Sequence, residues 1–139
     1  MAYNILIVDD SAIVRAVVRK TLGLTGIALG EIFDASNGRV ALERLEQSWI
    51  DLVFADINMP VMNGIELVDQ MIARDILKAV PVVIISTERS ETRMAELRAK
   101  GVSAYLNKPF TPECLRDVIT QVLEQRTTPT TPPQPPATP

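Results

Sequence analysis

Short aliphatic runs alternate along the chain with segments whose apolar residues recur every three or four positions. Ile5-Leu6-Ile7-Val8 is an unbroken run that ends in two acids. Glu31-Ile32-Phe33-Asp34-Ala35 is a second, weaker run, and Leu52-Val53-Phe54-Ala55 is a third that again ends in an acid. Val82-Val83-Ile84-Ile85 is a fourth, ending in hydroxyls, and Ala104-Tyr105-Leu106 is a fifth. Runs this short and this aliphatic predict strands covered on both faces.

The segments between them predict helices. Residues 12–24 follow a Ser11 cap and place Ile13, Val14, Val17, Val18 and Leu22 on one side. Residues 38–47 carry Val40, Ala41 and Leu45 at helical spacing, and Asn63-Gly64 opens a helix with Ile65, Leu67, Val68, Met71 and Ile72. Residues 90–100 form a charged helix with Met94, Ala95 and Leu97, closed by Gly101. Thr111-Pro112, a cap followed by proline at the first helical position, starts a last helix with Leu115, Val118, Ile119, Val122 and Leu123. Five β-α units of this kind predict an α/β fold. It is a doubly wound five-stranded parallel sheet, flavodoxin-like in the order 2-1-3-4-5, with five helices on both faces. In such sheets the site lies beyond the carboxyl ends of the strands.

Residues 127–139, TTPTTPPQPPATP, lack this periodicity and hold six of the ten prolines, so they predict a disordered Pro/Thr-rich tail after a folded domain at 1–126. Composition then removes whole classes of chemistry. The 139 residues contain no histidine and one cysteine, which excludes a Ser-His-Asp triad, a Cys-His pair and a His/Cys zinc cage. A lone Cys114 forms no internal disulfide and fits a reducing compartment. A net charge of −3 lacks the basic excess of a nucleic-acid binder. No apolar run approaches the ~20 residues that span a membrane, and the N-terminus lacks a signal-peptide pattern, so a cytoplasmic protein is expected.

What remains is carboxylates, hydroxyls, lysine and backbone amides. Asp9 and Asp10 follow the first strand, Asp56 and Asn58 the third, Ser86, Thr87 and Glu88 the fourth, and Lys108-Pro109 the fifth. One acid after a strand is usually a turn former or helix cap. A hydroxyl there is as often a cap, and a lone lysine is usually a solvated charge. The joint set on one sheet edge points further. With strands one and three adjacent, three carboxylates converge and repel unless a cation joins them. Oxygen ligands suit Mg²⁺, with Mn²⁺ as a substitute. An acidic pocket holding Mg²⁺ and a lysine suits a phosphoryl group, and a carboxylate there can serve as nucleophile toward phosphorus.

At these residues the chain resembles the receiver domain of bacterial two-component response regulators, and most of all the single-domain chemotaxis type. The resemblance rests on ILIVDDS at 5–11, DLVFADINMPVMNG at 51–64, VVIIS at 82–86 and YLNKPF at 105–110. It implies a phosphorelay signalling protein rather than an enzyme acting on a separate substrate. Asp56 would be the phosphoacceptor, taking the group from a sensor histidine kinase or phosphotransfer protein in a reaction the domain itself catalyses. Asp10 would bind Mg²⁺ directly and Asp9 through water, with Asp56 and the carbonyl of Asn58 completing the set. Lys108 would pair with phosphoryl oxygens, and the Lys108-Pro109 bond would be cis. Ser86 would be the switch hydroxyl and Tyr105 the aromatic that turns inward with it. Asn58 and Glu88 would tune hydrolysis of the acyl phosphate.

Two positions depart from the common pattern. Ser86 stands where threonine is commoner, and Thr87 stands where the family has a small residue and narrows access to Asp56. Trp49 is read as packing near the start of the third strand. The output face of the family is helix four, strand five and helix five. Here it offers Arg93, Met94, Leu97, Lys100, Tyr105 and parts of 111–123 to a downstream protein or to a phosphorylation-dependent dimer. A Mg²⁺-dependent phosphatase of the haloacid-dehalogenase type stays open as an alternative, although it requires Asp-x-Asp where this chain has Asp9-Asp10. A flavin-binding relative and a receiver that works without phosphorylation stay open as well. The Asn58 and Glu88 pair predicts a phosphoryl lifetime of seconds to minutes. Decay of labelled protein in Mg²⁺ buffer checks it, and a label retained for many hours counts against it.

Overall fold

The alternation of aliphatic residues sorts the five strands onto two covered faces. In this computed structural model, residues 2–77, 79–87 and 91–127 are described. Strands β1 (Tyr3–Val8), β2 (Leu29–Ala35), β3 (Leu52–Ala55), β4 (Val82–Ser86) and β5 (Ala104–Asn107) form one parallel sheet, ordered β2-β1-β3-β4-β5. Helices α1 (Ala12–Gly23), α2 (Gly38–Gln47), α3 (Gly64–Ala73), α4 (Glu91–Lys100) and α5 (Pro112–Thr127) alternate with them. The α/β fold and its strand order are as the sequence predicts.

Leu6, Val8, Val53, Ala55, Val82 and Ile84 point toward α2, α3 and α4, where they meet Leu42, Leu67, Met71 and Leu97. Their neighbours Ile5, Ile7, Leu52, Phe54, Val83 and Ile85 point the other way, onto Val18 and Leu22 of α1 and Leu115, Ile119 and Val122 of α5. This is the period-two alternation of a strand expressed as two cores. The central strand β3 is at most 1% exposed at each of its four residues. No helix among the described residues is long and apolar enough to cross a membrane.

Caps set where each helix begins. The Ser11 hydroxyl accepts the Val14 amide at 3.2 Å, and the Thr111 hydroxyl accepts that of Cys114 at 3.1 Å. Asn63 and Glu66 form a reciprocal capping box on α3. Gly101, with φ of +108°, ends α4 in a conformation that only glycine adopts without strain.

Three expectations need correction. On α1 the buried stripe runs through Val18 and Leu22, while Ile13 and Val17 are 77% and 53% exposed. Five apolar residues occupied too wide an arc for the sheet to cover. Trp49 is 77% exposed rather than packed, because Ile50 takes the core position and Asp51 accepts the indole N–H at 2.9 Å. Leu97 belongs to the core instead of the output face, and Lys100 is drawn to Asp69 of α3 at 2.7 Å. The helix α5 runs to Thr127, and residues 128–139 lie outside the described residues.

The same chemical change should therefore have opposite weight at two nearby positions. Leu22→Ala empties a fully buried site and is expected to cost about 2–5 kcal/mol in urea unfolding. Leu24→Ala, at a residue 64% exposed, is expected to stay within about 0.5 kcal/mol.

Candidate functional site

The register of the sheet decides which strand-end residues meet. Val8 of β1 lies opposite Ala55 of β3, so the next residues, Asp9 and Asp56, leave the sheet side by side. The Asp56 amide continues the ladder by donating to the Val8 carbonyl at 3.0 Å, and the Asp9 amide donates to Ala35 of β2 at 3.0 Å. On the other flank, Ser86 lies opposite Asn107, and the Lys108 amide donates to the Ser86 carbonyl at 3.0 Å. Backbone hydrogen bonding alone thus gathers residues separated by up to 99 positions.

Asp9, Asp10 and Asp56 each offer a carboxylate oxygen within 4.8 Å of the others. Asp9 is buried, Asp56 partly so, and Asp10 exposed. Asp9 accepts the Ser11 amide at 2.9 Å through one oxygen and the Lys108 ammonium at 3.3 Å through the other. Asp56 accepts the Ile57 amide at 2.9 Å through Oδ1. Burial pushes the Asp56 carboxyl above its ordinary value of 3.8. Lys108 pulls it back, Asp9 pushes it further up, the Ile57 amide lowers it and Asp10 raises it. The donor set is three hard oxygens with neither thiol nor imidazole, a set that fits Mg²⁺ or Mn²⁺.

The remaining predicted residues are spread around this cluster. Ser86, 1% exposed, ends β4. Thr87 follows it and is exposed, and Asn58 is exposed two residues after Asp56. Tyr105 sits in β5 opposite Ile84 and packs, half-buried, on the α2–α4 side of the sheet. The Lys108-Pro109 bond is cis, as expected. Glu88 lies outside the described residues.

The roles of four residues escaped sequence reasoning. Arg15 on α1 donates to the Asp9 carbonyl at 2.5 Å and pairs with Asp34 of β2 at 3.2 Å, while Arg19 takes the other oxygen of Asp34. Their i, i+4 spacing was the available signal. Gly64 seats the start of α3 so close to the Asp56 carbonyl that a Cβ would collide with it. Val61, exposed and with φ of +67°, holds a left-handed conformation that is costly for a β-branched residue. Nothing in its side chain announces that.

With this geometry in place, comparison with known proteins is informative. The family model "Response regulator receiver domain" matches residues 5–120. The chain is 33% identical over 121 residues to chemotaxis protein CheY1 of Helicobacter pylori J99, covering 86% of this chain and 96% of that protein. It is 34% identical over 125 residues to chemotaxis protein CheY of Pseudomonas aeruginosa, covering 88% and 97%. Among solved structures, the chemotaxis response regulator CheY4 of Vibrio cholerae superimposes with a TM-score of 0.77 at 35% identity, covering 88% of this chain and all of that one.

A carboxyl with a raised folded-state value favours the folded state when it is protonated. Its contribution is complete below the ordinary value of 3.8 and is lost as pH rises through the raised value. In metal-free, chelator-treated buffer, Asp56→Asn is expected to raise the thermal midpoint by a few degrees at neutral pH. A pH series of melting curves should show the gain shrinking as pH falls through the raised value and vanishing below 3.8.

Proposed function

The chain belongs to the response regulator receiver family, and on that premise we propose that Asp56 is the residue that takes the phosphoryl group. The family's phosphoacceptor signalling function applies to the domain as a whole. The assignment of roles to single residues rests on one observation: three carboxylates from two adjacent strand ends meet within 4.8 Å, with Lys108 on one of them.

The chemistry follows from that cluster. A carboxylate oxygen of Asp56 forms a bond to phosphorus while the phosphorus–nitrogen bond of a donor phosphohistidine breaks. The electron pair stays on the imidazole nitrogen, which then takes a proton from solvent. The imidazole must come from a histidine kinase or a phosphotransfer protein, since this chain has no histidine. The Ile57 amide fixes one Asp56 oxygen and leaves the other for attack. Asp9, Asp10, Asp56 and the Asn58 carbonyl would hold Mg²⁺ or Mn²⁺, which when bound offsets charge on the transferring oxygens. Lys108 exchanges its contact with Asp9 for one with a phosphoryl oxygen. We assign to Asn58, Thr87 and Glu88 the control of access of the water that later hydrolyses the acyl phosphate.

Signal output uses the same edge. Ser86 is joined through backbone to Lys108, so a phosphoryl oxygen that draws in the Ser86 hydroxyl bears on the ends of β4 and β5 together. Tyr105, one strand away, shifts with it. The face formed by α4, β5 and α5 then binds a downstream protein or a second copy. Residues 1–126 form this receiver, with the proline-rich segment as an appendage. The dehalogenase-type alternative finds no support, since Asp9 and Asp10 are adjacent and the receiver family spans the core.

Incubation with acetyl phosphate and Mg²⁺ is expected to label the native chain and to leave Asp56→Asn unlabelled, read by phosphate-affinity electrophoresis. Equal labelling of the two proteins would overturn the assignment of Asp56.

A further inference from the structure

We propose that Arg15 is a positioning residue for the metal, setting through the Asp9 carbonyl where Asp10 presents its carboxylate. Asp9 is aimed by the Ser11 amide and Lys108, and Asp56 by the Ile57 amide. Among the described residues, the exposed Asp10 carboxylate has neither hydrogen bond nor ion pair, so its place follows from its backbone. That backbone is held on both sides. The peptide before Asp10 has its carbonyl, that of Asp9, bound by Arg15 Nη1 at 2.5 Å. The peptide after it has its amide, that of Ser11, bound by Asp9 Oδ1 at 2.9 Å. Between these two fixed peptides, Asp10 brings an oxygen within 4.8 Å of those of Asp9 and Asp56.

Packing puts Arg15 in that place. Arg15, Val18, Arg19 and Leu22 recur at helical spacing along one flank of α1. Val18 and Leu22 are buried, so the two arginines are carried against the edge strand β2. Asp34, opposite Ile7 in the β1–β2 register, accepts Arg15 Nε at 3.2 Å on one oxygen and Arg19 Nη2 on the other. The Arg15 guanidinium thus bridges Asp34 and the Asp9 carbonyl with two different nitrogens, a fork that the single nitrogen of lysine does not reproduce. Arg19 shares Asp34 and also donates to the Ile32 carbonyl, but makes no hydrogen bond to Asp9.

The sign of the effect separates positioning from charge. A guanidinium near a cation site repels the cation, so by charge alone its removal strengthens binding. Loss of the bridge acts the other way. Like charges on Asp9, Asp10 and Asp56 then push the freed Asp9–Asp10 peptide aside, and the ion must order it again on binding. Groups that orient metal ligands are typically worth about 10–100-fold in metal affinity. The role of Arg15 rests on the reading of the acidic cluster as a Mg²⁺ site.

Mn²⁺ is the probe, with the free ion read by electron paramagnetic resonance in titrations of the chelator-treated full chain and no phosphoryl donor present. Arg15→Met keeps most of the aliphatic stem and is expected to bind Mn²⁺ about tenfold more weakly than the native chain. Arg15→Lys keeps the charge and is expected to bind roughly threefold more weakly. Arg19→Met removes a charge from the same Asp34 and is expected to stay within about twofold of the native chain. Melting curves establish that each variant is folded at the titration temperature. Native or tighter affinity in Arg15→Met overturns the proposal, and so does an equal loss in Arg19→Met. Where Arg15→Met does not fold, native affinity in Arg15→Lys overturns it. Asp10→Asn keeps this failure apart from failure of the metal site. When Asp10→Asn loses the ion and Arg15→Met does not, the role of Arg15 alone falls. When the native chain and Asp10→Asn bind Mn²⁺ alike, the metal site falls and the role of Arg15 with it.

Discussion

Two carboxylates leave the sheet side by side because parallel ladder hydrogen bonds leave them nowhere else to go. The Asp56 amide is tied to the Val8 carbonyl, and Asp9 follows Val8 directly. Like charges at about 4 Å repel by roughly 4 kcal/mol at the effective dielectric of a protein surface, before solvent screening reduces it. The fold accepts that repulsion, and the surrounding residues respond to it. Lys108 is brought by β5 to Asp9, amides of Ser11 and Ile57 are spent on carboxylate oxygens, and Asp56 retains a raised affinity for protons. A cluster built under such tension suits a divalent cation for the same reason that it resists being left without positive charge.

The loops around the cluster are shaped by close approach. Gly64 allows α3 to begin against the Asp56 carbonyl, and the Asn63–Glu66 capping box holds that helix start in place. Val61 lies in the same connection in a left-handed conformation, a strain that the neighbouring packing must offset. On the far side, Arg15 ties the Asp9 carbonyl to Asp34, so the strand β2 also bears on the acidic cluster. Asp56, Lys108 and Ser86 thus stand on strand ends joined by ladder hydrogen bonds, and Lys108 also pairs with Asp9.

Much of the fold was legible because the signals were local. Aliphatic runs at 5–8, 52–55 and 82–85 predict buried strands, and the caps at Ser11, Asn63 and Thr111 sit one residue before the helices they start. The acids after strands one and three and the lysine after strand five pointed to one edge of the sheet, and the structure brings Asp9, Asp10, Asp56 and Lys108 together there. Arg15 was not legible, since its role depends on Asp34 lying beside it, and that pairing comes from the β1–β2 register.

What the sequence by itself determined is the order of elements, the aliphatic core and a candidate chemistry of carboxylates, hydroxyls and lysine without imidazole. Those follow from composition and from periodicities of two and 3.6, which act over a few residues. The tertiary structure alone decided which side of α1 is buried, leaving Ile13 and Val17 in water and Val18 and Leu22 in the core. It also decided that Trp49 stands out from the surface and that Asp9 rather than Asp10 is the carboxylate buried against Lys108. A helix of apolar residues carries no record of which arc the sheet will cover. Two adjacent acids carry none of which one the strand twist turns inward. Both are settled by packing between elements far apart in the chain.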